Sequence, residues 1–227
     1  MPAPFVGRQT ELALLRDKLA QARVGHPQVV LVRGPAGIGK TWLVDRFLGT
    51  VADVCAVRAD GEESETVLTY GIAEQLLRAA AAAPSGAWAA TGTNGILGVD
   101  PLAVGAQLLD LLGQLQVQGP VALVVDDAQW ADLPSLKALL FALRRLHADQ
   151  VLALFTVRDR EGQPLPEGLQ RLLASDRGTI LRVGGLGAED LQALAAAMGV
   201  GGFSPRAAEG LRAHTDVVRV LGSFPAA

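Results

Sequence analysis

The sequence predicts an α/β fold, a parallel sheet of five strands with helices packed on both faces. Three observations carry that expectation. Continuous apolar runs at residues 29–32, 121–125 and 151–157 have the composition of strands buried on both sides. The segments between them place leucines and alanines at helical spacing. The first run also leads straight into Gly34-Pro35-Ala36-Gly37-Ile38-Gly39-Lys40-Thr41, a glycine-rich turn that opens a helix.

In chain order, the first helix is expected over residues 11–23, with Leu12, Leu15 and Leu19 on one face and Thr10 as N-cap. A strand over 28–33, the glycine-rich turn and a helix over 41–48 follow. Residues 54–58 read as a second strand and 69–82 as a helix. Over 83–100 the composition shifts to Gly, Ala, Pro, Ser and Thr without periodicity, which reads as a loop. Pro101 suits a first helical position and opens the next helix. The strand over 121–125 ends in Asp126-Asp127, and a helix spans 134–147. The strand over 151–157 ends at Arg158-Asp159. A helix over 166–174, a strand over 179–183 and short helices over 189–198 and 205–213 complete the pattern. The expected division is a core over 1–185 and a partial helical lid over 186–227.

Half of the 227 residues are hydrophobic, enough for one such core. A net charge of −3 and a pI near 5.6 argue against a broad nucleic-acid-binding surface. A single cysteine, Cys55, rules out an internal disulfide and lies in an apolar run, as a core thiol does. The N-terminus lacks the pattern of a signal peptide, and no run is long enough to span a membrane. A soluble, cytoplasmic protein is therefore expected. His26 and His147 sit beside loops, no His/Cys/Asp/Glu cluster has zinc spacing, and no Gly-x-Ser-x-Gly nucleophile turn occurs.

The glycine-rich turn carries the most specific chemistry. Gly, four residues, then Gly-Lys-Thr between a strand and a helix is the spacing of a phosphate-binding loop. Glycines let successive backbone N–H groups converge on phosphate oxygens, and the following helix adds its positive end. Only three lysines occur (Lys18, Lys40, Lys137), and Lys40 falls where the β- and γ-phosphates must be reached. Thr41 is placed to ligate Mg²⁺. Pro35, Ala36, Gly37, Ile38, Gly39, Lys40, Thr41 and Trp42 form the candidate cradle, with Trp42 read as packing at the helix start.

In an open parallel sheet, ligands bind beyond the carboxyl ends of the strands. Asp126 ends one apolar run there and is placed to hold Mg²⁺ through water. Asp127 is placed to orient or deprotonate an attacking water, and Arg158 to touch the γ-phosphate. A plain strand end for the two aspartates, and a surface ion pair with Asp159 for Arg158, are the alternatives.

Val6-Gly7-Arg8 with Glu11, the phosphate loop, Asp126-Asp127-Ala128-Gln129-Trp130-Ala131-Asp132 and Thr156-Val157-Arg158-Asp159 occur in that order. Together they resemble the nucleotide-binding domain of the STAND class of signal-transduction ATPases, as in the large LuxR-type and MalT-like bacterial transcriptional regulators. The resemblance implies a P-loop NTPase sheet of order 5-1-4-3-2. It implies ATP or ADP with Mg²⁺ as cofactors, and Val6, Gly7 and Arg8 against the adenine. Arg158 is then a sensor arginine, with Trp130 and Asp132 supporting the site. It further implies that nucleotide state controls self-association or a protein partner. Two departures stand out. After His214-Thr215 the family continues Gly-Gly-Asn-Pro, whereas this chain reads Asp216-Val217-Val218-Arg219-Val220, so the usual lid contact is expected to be missing. The second is that no helix-turn-helix domain or repeat sensor follows. The acidity of the chain and its lack of a recognisable reading helix argue against direct binding of nucleic acid, and no membrane partner is expected in the absence of an apolar span.

Two readings stay open at this point: a slow ATPase used as a switch, and a nucleotide-binding module with little turnover. A small-molecule kinase fits less well, because the 83–100 segment holds no arginine for a phosphate lid. A GTPase fits less well still, because the Asn-Lys-x-Asp guanine reader is absent.

Overall fold

The computed structural model describes residues 7–81, 100–159 and 165–197. Val6, most of the expected 83–100 loop, the expected 205–213 helix and the tail after Thr215 lie outside the described residues. Five strands, β1 (Gln28–Gly34), β2 (Cys55–Asp60), β3 (Val121–Asp126), β4 (Val151–Arg158) and β5 (Gly178–Arg182), form one all-parallel sheet in the order β2-β3-β4-β1-β5. Read from the other edge this is the expected 5-1-4-3-2. The described α-helices are α1 (Gln9–Arg23), α2 (Lys40–Leu48), α3 (Gly71–Ala81), α4 (Pro101–Leu115), α5 (Leu133–Arg145), α6 (Glu167–Leu173) and α7 (Ala188–Ala197). None of them is long and apolar enough to cross a membrane.

The sheet separates two apolar clusters, and strand alternation decides which residue joins which. Val29 and Leu31, Leu123 and Val125, and Ala153 and Phe155 pack with α3, α4, α5 and α6. Val30 and Val32, Val124, and Leu152 and Leu154 pack with α1 and α2. That parity carries to the strand ends. Asp126 follows Val124 by two residues and Thr156 follows Leu154 by two, so both face the α2 side, where the phosphate loop lies.

Capping fixes the helices that flank this edge. Asp100 caps α4, accepting from Leu102 N, with Pro101 in the first turn. Asp132 caps α5 through Ser135 N at 2.8 Å. The same buried carboxylate accepts from Tyr70 N at 2.9 Å and Ile72 N at 3.3 Å, so one side chain fixes the start of both α3 and α5. At α1 the expected cap is wrong. The helix starts from Arg8, whose backbone is left-handed (φ 64°) with no side-chain cap, and Thr10 lies inside the first turn. The arginine side chain is needed elsewhere, as described below, and the chain turns sharply there to deliver it.

Candidate functional site

The loop between β1 and α2 is built on two left-handed glycines, Gly37 (φ 73°) and Gly39 (φ 93°), a conformation that costs other residues a Cβ clash. Gly39 is the N-cap of α2 and has no side chain to satisfy the first helical N–H groups, which leaves them for a ligand. Lys40 is 6% exposed, and its ammonium donates to Gly34 O at 3.0 Å and Pro35 O at 2.9 Å, both carbonyls of its own loop. An ammonium has three N–H donors, and among the described residues the third has no acceptor. Burial lowers the Lys40 pKa, offset in part by the nearby Asp127 and Asp126 charges. A buried cation held only by carbonyls suits an anionic phosphate. Thr41 is exposed at the mouth of the loop. Trp42 is 46% exposed on α2, so its ring is not core packing.

Sheet order brings the other candidates to the same edge. β4 lies between β1 and β3, and Gly34 pairs with Arg158 across the first of these seams. Asp126 ends β3 and is 5% exposed. Its Oδ1 accepts from the Thr156 hydroxyl and from Asp127 N at 3.3 Å, while its Oδ2 accepts from Arg58 Nη2. Thr156 Oγ1 also accepts from Asp127 N, at 2.9 Å, and so ties the end of β3 to β4.

Asp127 sits in a left-handed turn (φ 44°) that swings its carboxylate toward β4. Arg158 grips it with two bonds, Nε to Oδ1 at 3.2 Å and Nη2 to Oδ2 at 2.8 Å. Gln129 closes the triangle, donating to Asp127 Oδ1 at 2.9 Å and accepting from Arg158 N at 3.1 Å. Burial alone would raise the Asp127 pKa, but the bonds from Arg158 and Gln129 outweigh it and hold the carboxyl below its ordinary value. The bond to Asp127 raises the Arg158 pKa in turn. The expected alternative partner of Arg158, Asp159, pairs with Arg33 instead, while Arg158 itself is exposed and pairs with Asp127.

On the far side of the loop, Arg8 pairs with Glu11 at 2.9 Å and donates to Ile38 O at 3.5 Å and to Gly184 O beyond β5. A Cβ on Gly7 (φ 77°) would lie 2.7 Å from Asp190 Cγ, so α7 closes directly on this segment. Gly7 and Arg8 therefore join the phosphate loop to α7 and the segment before it.

Sequence reading assigned no role to Arg58, nor to Thr156 and Gln129, which it quoted only as part of the resemblance. Thr156 had a signal, as the one hydroxyl in an apolar strand run, and it is fully buried. Arg58 had a weaker one, a charge inside an apolar run. Cys55 is half-buried with a raised pKa from burial, in keeping with an inert thiol. His26 and His147 are exposed as expected. Among the described residues no three His, Cys, Asp or Glu side chains converge as a metal cage. A loop threonine and one strand-end carboxylate suit Mg²⁺, which keeps several of its own waters. A separate cavity of about 450 Å³ lies at the opposite end of β1, against Gln28, His26 and Arg177.

A phosphate loop on β1 with a carboxylate pair on β3 and an arginine on β4, in this strand order, defines a P-loop NTPase fold. Residues 4–157 match the model of the AAA ATPase domain family, and the chain belongs to that family. Among curated proteins, none matches this chain. Solved structures share the fold. The ORC2 protein of Aeropyrum pernix, determined as ADPNP–ADP complexes, aligns with TM-score 0.56 and 18% identity, covering 91% of this chain and 56% of that one. The Aeropyrum pernix ORC1 protein in complex with DNA aligns with TM-score 0.57 and 18% identity, covering 96% and 58%. Drosophila ORC bound to DNA aligns with TM-score 0.54 and 18% identity, covering 82% and 45%. The chain thus spans between 45% and 58% of the length of these proteins.

Proposed function

We propose that this chain binds ATP and ADP at the β1–α2 loop and hydrolyses ATP slowly, as the nucleotide switch of a regulator of the LuxR-type, STAND-class kind. The observation that carries this is the convergence of Lys40, Asp126, Asp127 and Arg158 at the carboxyl ends of β1, β3 and β4. The adenine-nucleotide complexes of the Aeropyrum ORC2 protein support the choice of base. Gly7 and Arg8, with Val6 before them, are the segment we assign to the adenine. Residues 1–185 act as the ATPase core and 186–227 as a partial lid.

In this reading the backbone of residues 35–41 cradles the phosphates, and Lys40 turns its ammonium from the loop carbonyls to the β- and γ-oxygens. Thr41 and Asp126 hold Mg²⁺, which supplies positive charge to the phosphate oxygens when bound. Asp127 orients the attacking water and accepts its proton, and Arg158 stabilises charge on the γ-phosphate. Neither can act while gripping the other. The Asp127–Arg158 pair must open first, which fits slow turnover and supports a second reading, a binding module with almost none.

Steady-state phosphate release distinguishes them. Wild type should exceed Lys40→Ala and Asp127→Ala by at least about tenfold. Equal rates for all three would refute the ATPase reading, while a nucleotide-induced melting shift lost only in Lys40→Ala would leave the binding reading standing. Sizing with ADP and with a non-hydrolysable ATP analogue tests the switch; one monomer in both states refutes nucleotide-controlled self-association.

A further inference from the structure

Among the described residues, Arg58 is the one guanidinium that touches the candidate metal carboxylate. It projects from the α2 face of β2, since Val57 and Ala59 on either side are buried in the opposite cluster. Each of its nitrogens takes a different carboxylate: Nη1 donates to Asp45 at 2.6 Å, Nε to Asp60 at 3.1 Å, and Nη2 to Asp126 Oδ2. Asp60 and Asp126 are register partners on adjacent strands, so two like charges stand side by side with Arg58 between them. Asp45 lies one helical turn beyond Thr41, which ties Arg58 to the helix that carries the second metal ligand.

The other oxygen of Asp126 is committed. Oδ1 already accepts two bonds, from Thr156 and from Asp127 N, so a hydrated cation can be received only at Oδ2. That is the oxygen Arg58 holds. From this geometry we infer that Arg58 is a positioning residue that competes with Mg²⁺ for Asp126 and so sets the magnesium concentration at which the nucleotide site closes. The inference rests on the reading of Asp126 as the metal carboxylate. Asp45 and Asp60 give the guanidinium somewhere to go. Both are more exposed than Asp126, at 49% and 67% against 7%, so the arginine can lean on them when Asp126 turns to the cation. A positive charge retained beside the ion weakens its binding without abolishing it.

The test is a magnesium titration of the full chain saturated with ADP, read by thermal midpoint and by ADP affinity. Arg58→Gln should lower the half-saturating Mg²⁺ concentration by roughly an order of magnitude, while ADP affinity in EDTA changes less than about twofold. Arg58→Lys keeps a charge but cannot serve three carboxylates at once, so it should shift in the same direction by a smaller factor. It also keeps the test available if the glutamine variant folds poorly. The same substitution in an Asp126→Asn background should have no effect on magnesium dependence. An unchanged or raised half-saturation in both single variants overturns the inference, because a merely structural Arg58 costs stability alone. An equal shift with and without Asp126 overturns it as well, since the effect is then a general field. If Asp126→Asn alone leaves the magnesium dependence intact, the metal reading of Asp126 fails first, and the Arg58 inference falls with it.

Discussion

Opening the Asp127–Arg158 pair is the step that the geometry makes measurable. Two unit charges about 4 Å apart attract by about 4 kcal/mol at an effective dielectric of 20. The side chains are 39% and 27% exposed, so water screens most of that. Two bonds in place of one, and the brace from Gln129, bring the expected coupling to about 1–1.5 kcal/mol. The assay is a double-mutant cycle on unfolding free energy, with Asp127→Asn, Arg158→Gln and the double variant at pH 7. A coupling of about 1 kcal/mol leaves the open pair at roughly a fifth of the closed one, which limits turnover by a similar factor. The sign with pH follows from the lowered Asp127 pKa. Its contribution is fully present above the ordinary carboxylate value of 3.8 and is lost as pH falls through the lower folded value. The gap between wild type and Asp127→Asn should therefore be flat from neutral pH down to about 5 and close in stronger acid. A coupling below about 0.3 kcal/mol, or a gap that widens in acid, would refute the latch.

Asp132→Ala removes a buried carboxylate that satisfies Ser135 N, Tyr70 N and Ile72 N at once, so it should cost about 2–4 kcal/mol by chemical unfolding. A loss under 1 kcal/mol would mean that water replaces it. Thr156→Val keeps the shape and the strand preference but strips the hydroxyl between Asp126 and Asp127 N, and should cost about 1–3 kcal/mol, with Thr156→Ser restoring most of it.

Much of the fold was legible because its signals are local. An apolar strand run, a glycine-rich turn and a proline at a helix start each act within a few residues, and the described strands lie within a residue or two of where the pattern put them. The sheet order was not local, and only the resemblance to a known class supplied it. The start of α1 was misjudged for a related reason. Thr10 is the better cap by residue type, but Arg8 is held by partners far along the chain, Ile38 and Gly184, and tertiary contacts outweigh a capping preference worth about 1 kcal/mol. The role of Arg58 was hidden for the same cause. Nothing within ten residues of Arg58 says that Asp126 lies across the next strand.

The placement of β4 explains why these unsignalled residues matter. Phosphate-loop and carboxylate strands that were direct neighbours would stand about 4.8 Å apart, too close for a phosphate and a hydrated cation between Lys40 and Asp126. Inserting β4 doubles the spacing. It also puts an extra strand end into the middle of the site, and that end has to be occupied by something polar that neither fills the gap nor leaves Asp126 unpartnered. Thr156 meets the need from below, with a short hydroxyl that braces the β3 carboxylate. Arg158, two residues on, is long enough to lie sideways onto Asp127 and leave the gap open. Arg58 balances Asp126 from the other flank. The charges at the sheet edge are therefore paired along the strand ends and not across the phosphate gap, apart from Lys40, whose third N–H points to no protein acceptor among the described residues. On the function proposed above, such a site would bind through Lys40 and the loop backbone, and would turn over only when the Asp127–Arg158 pair separates.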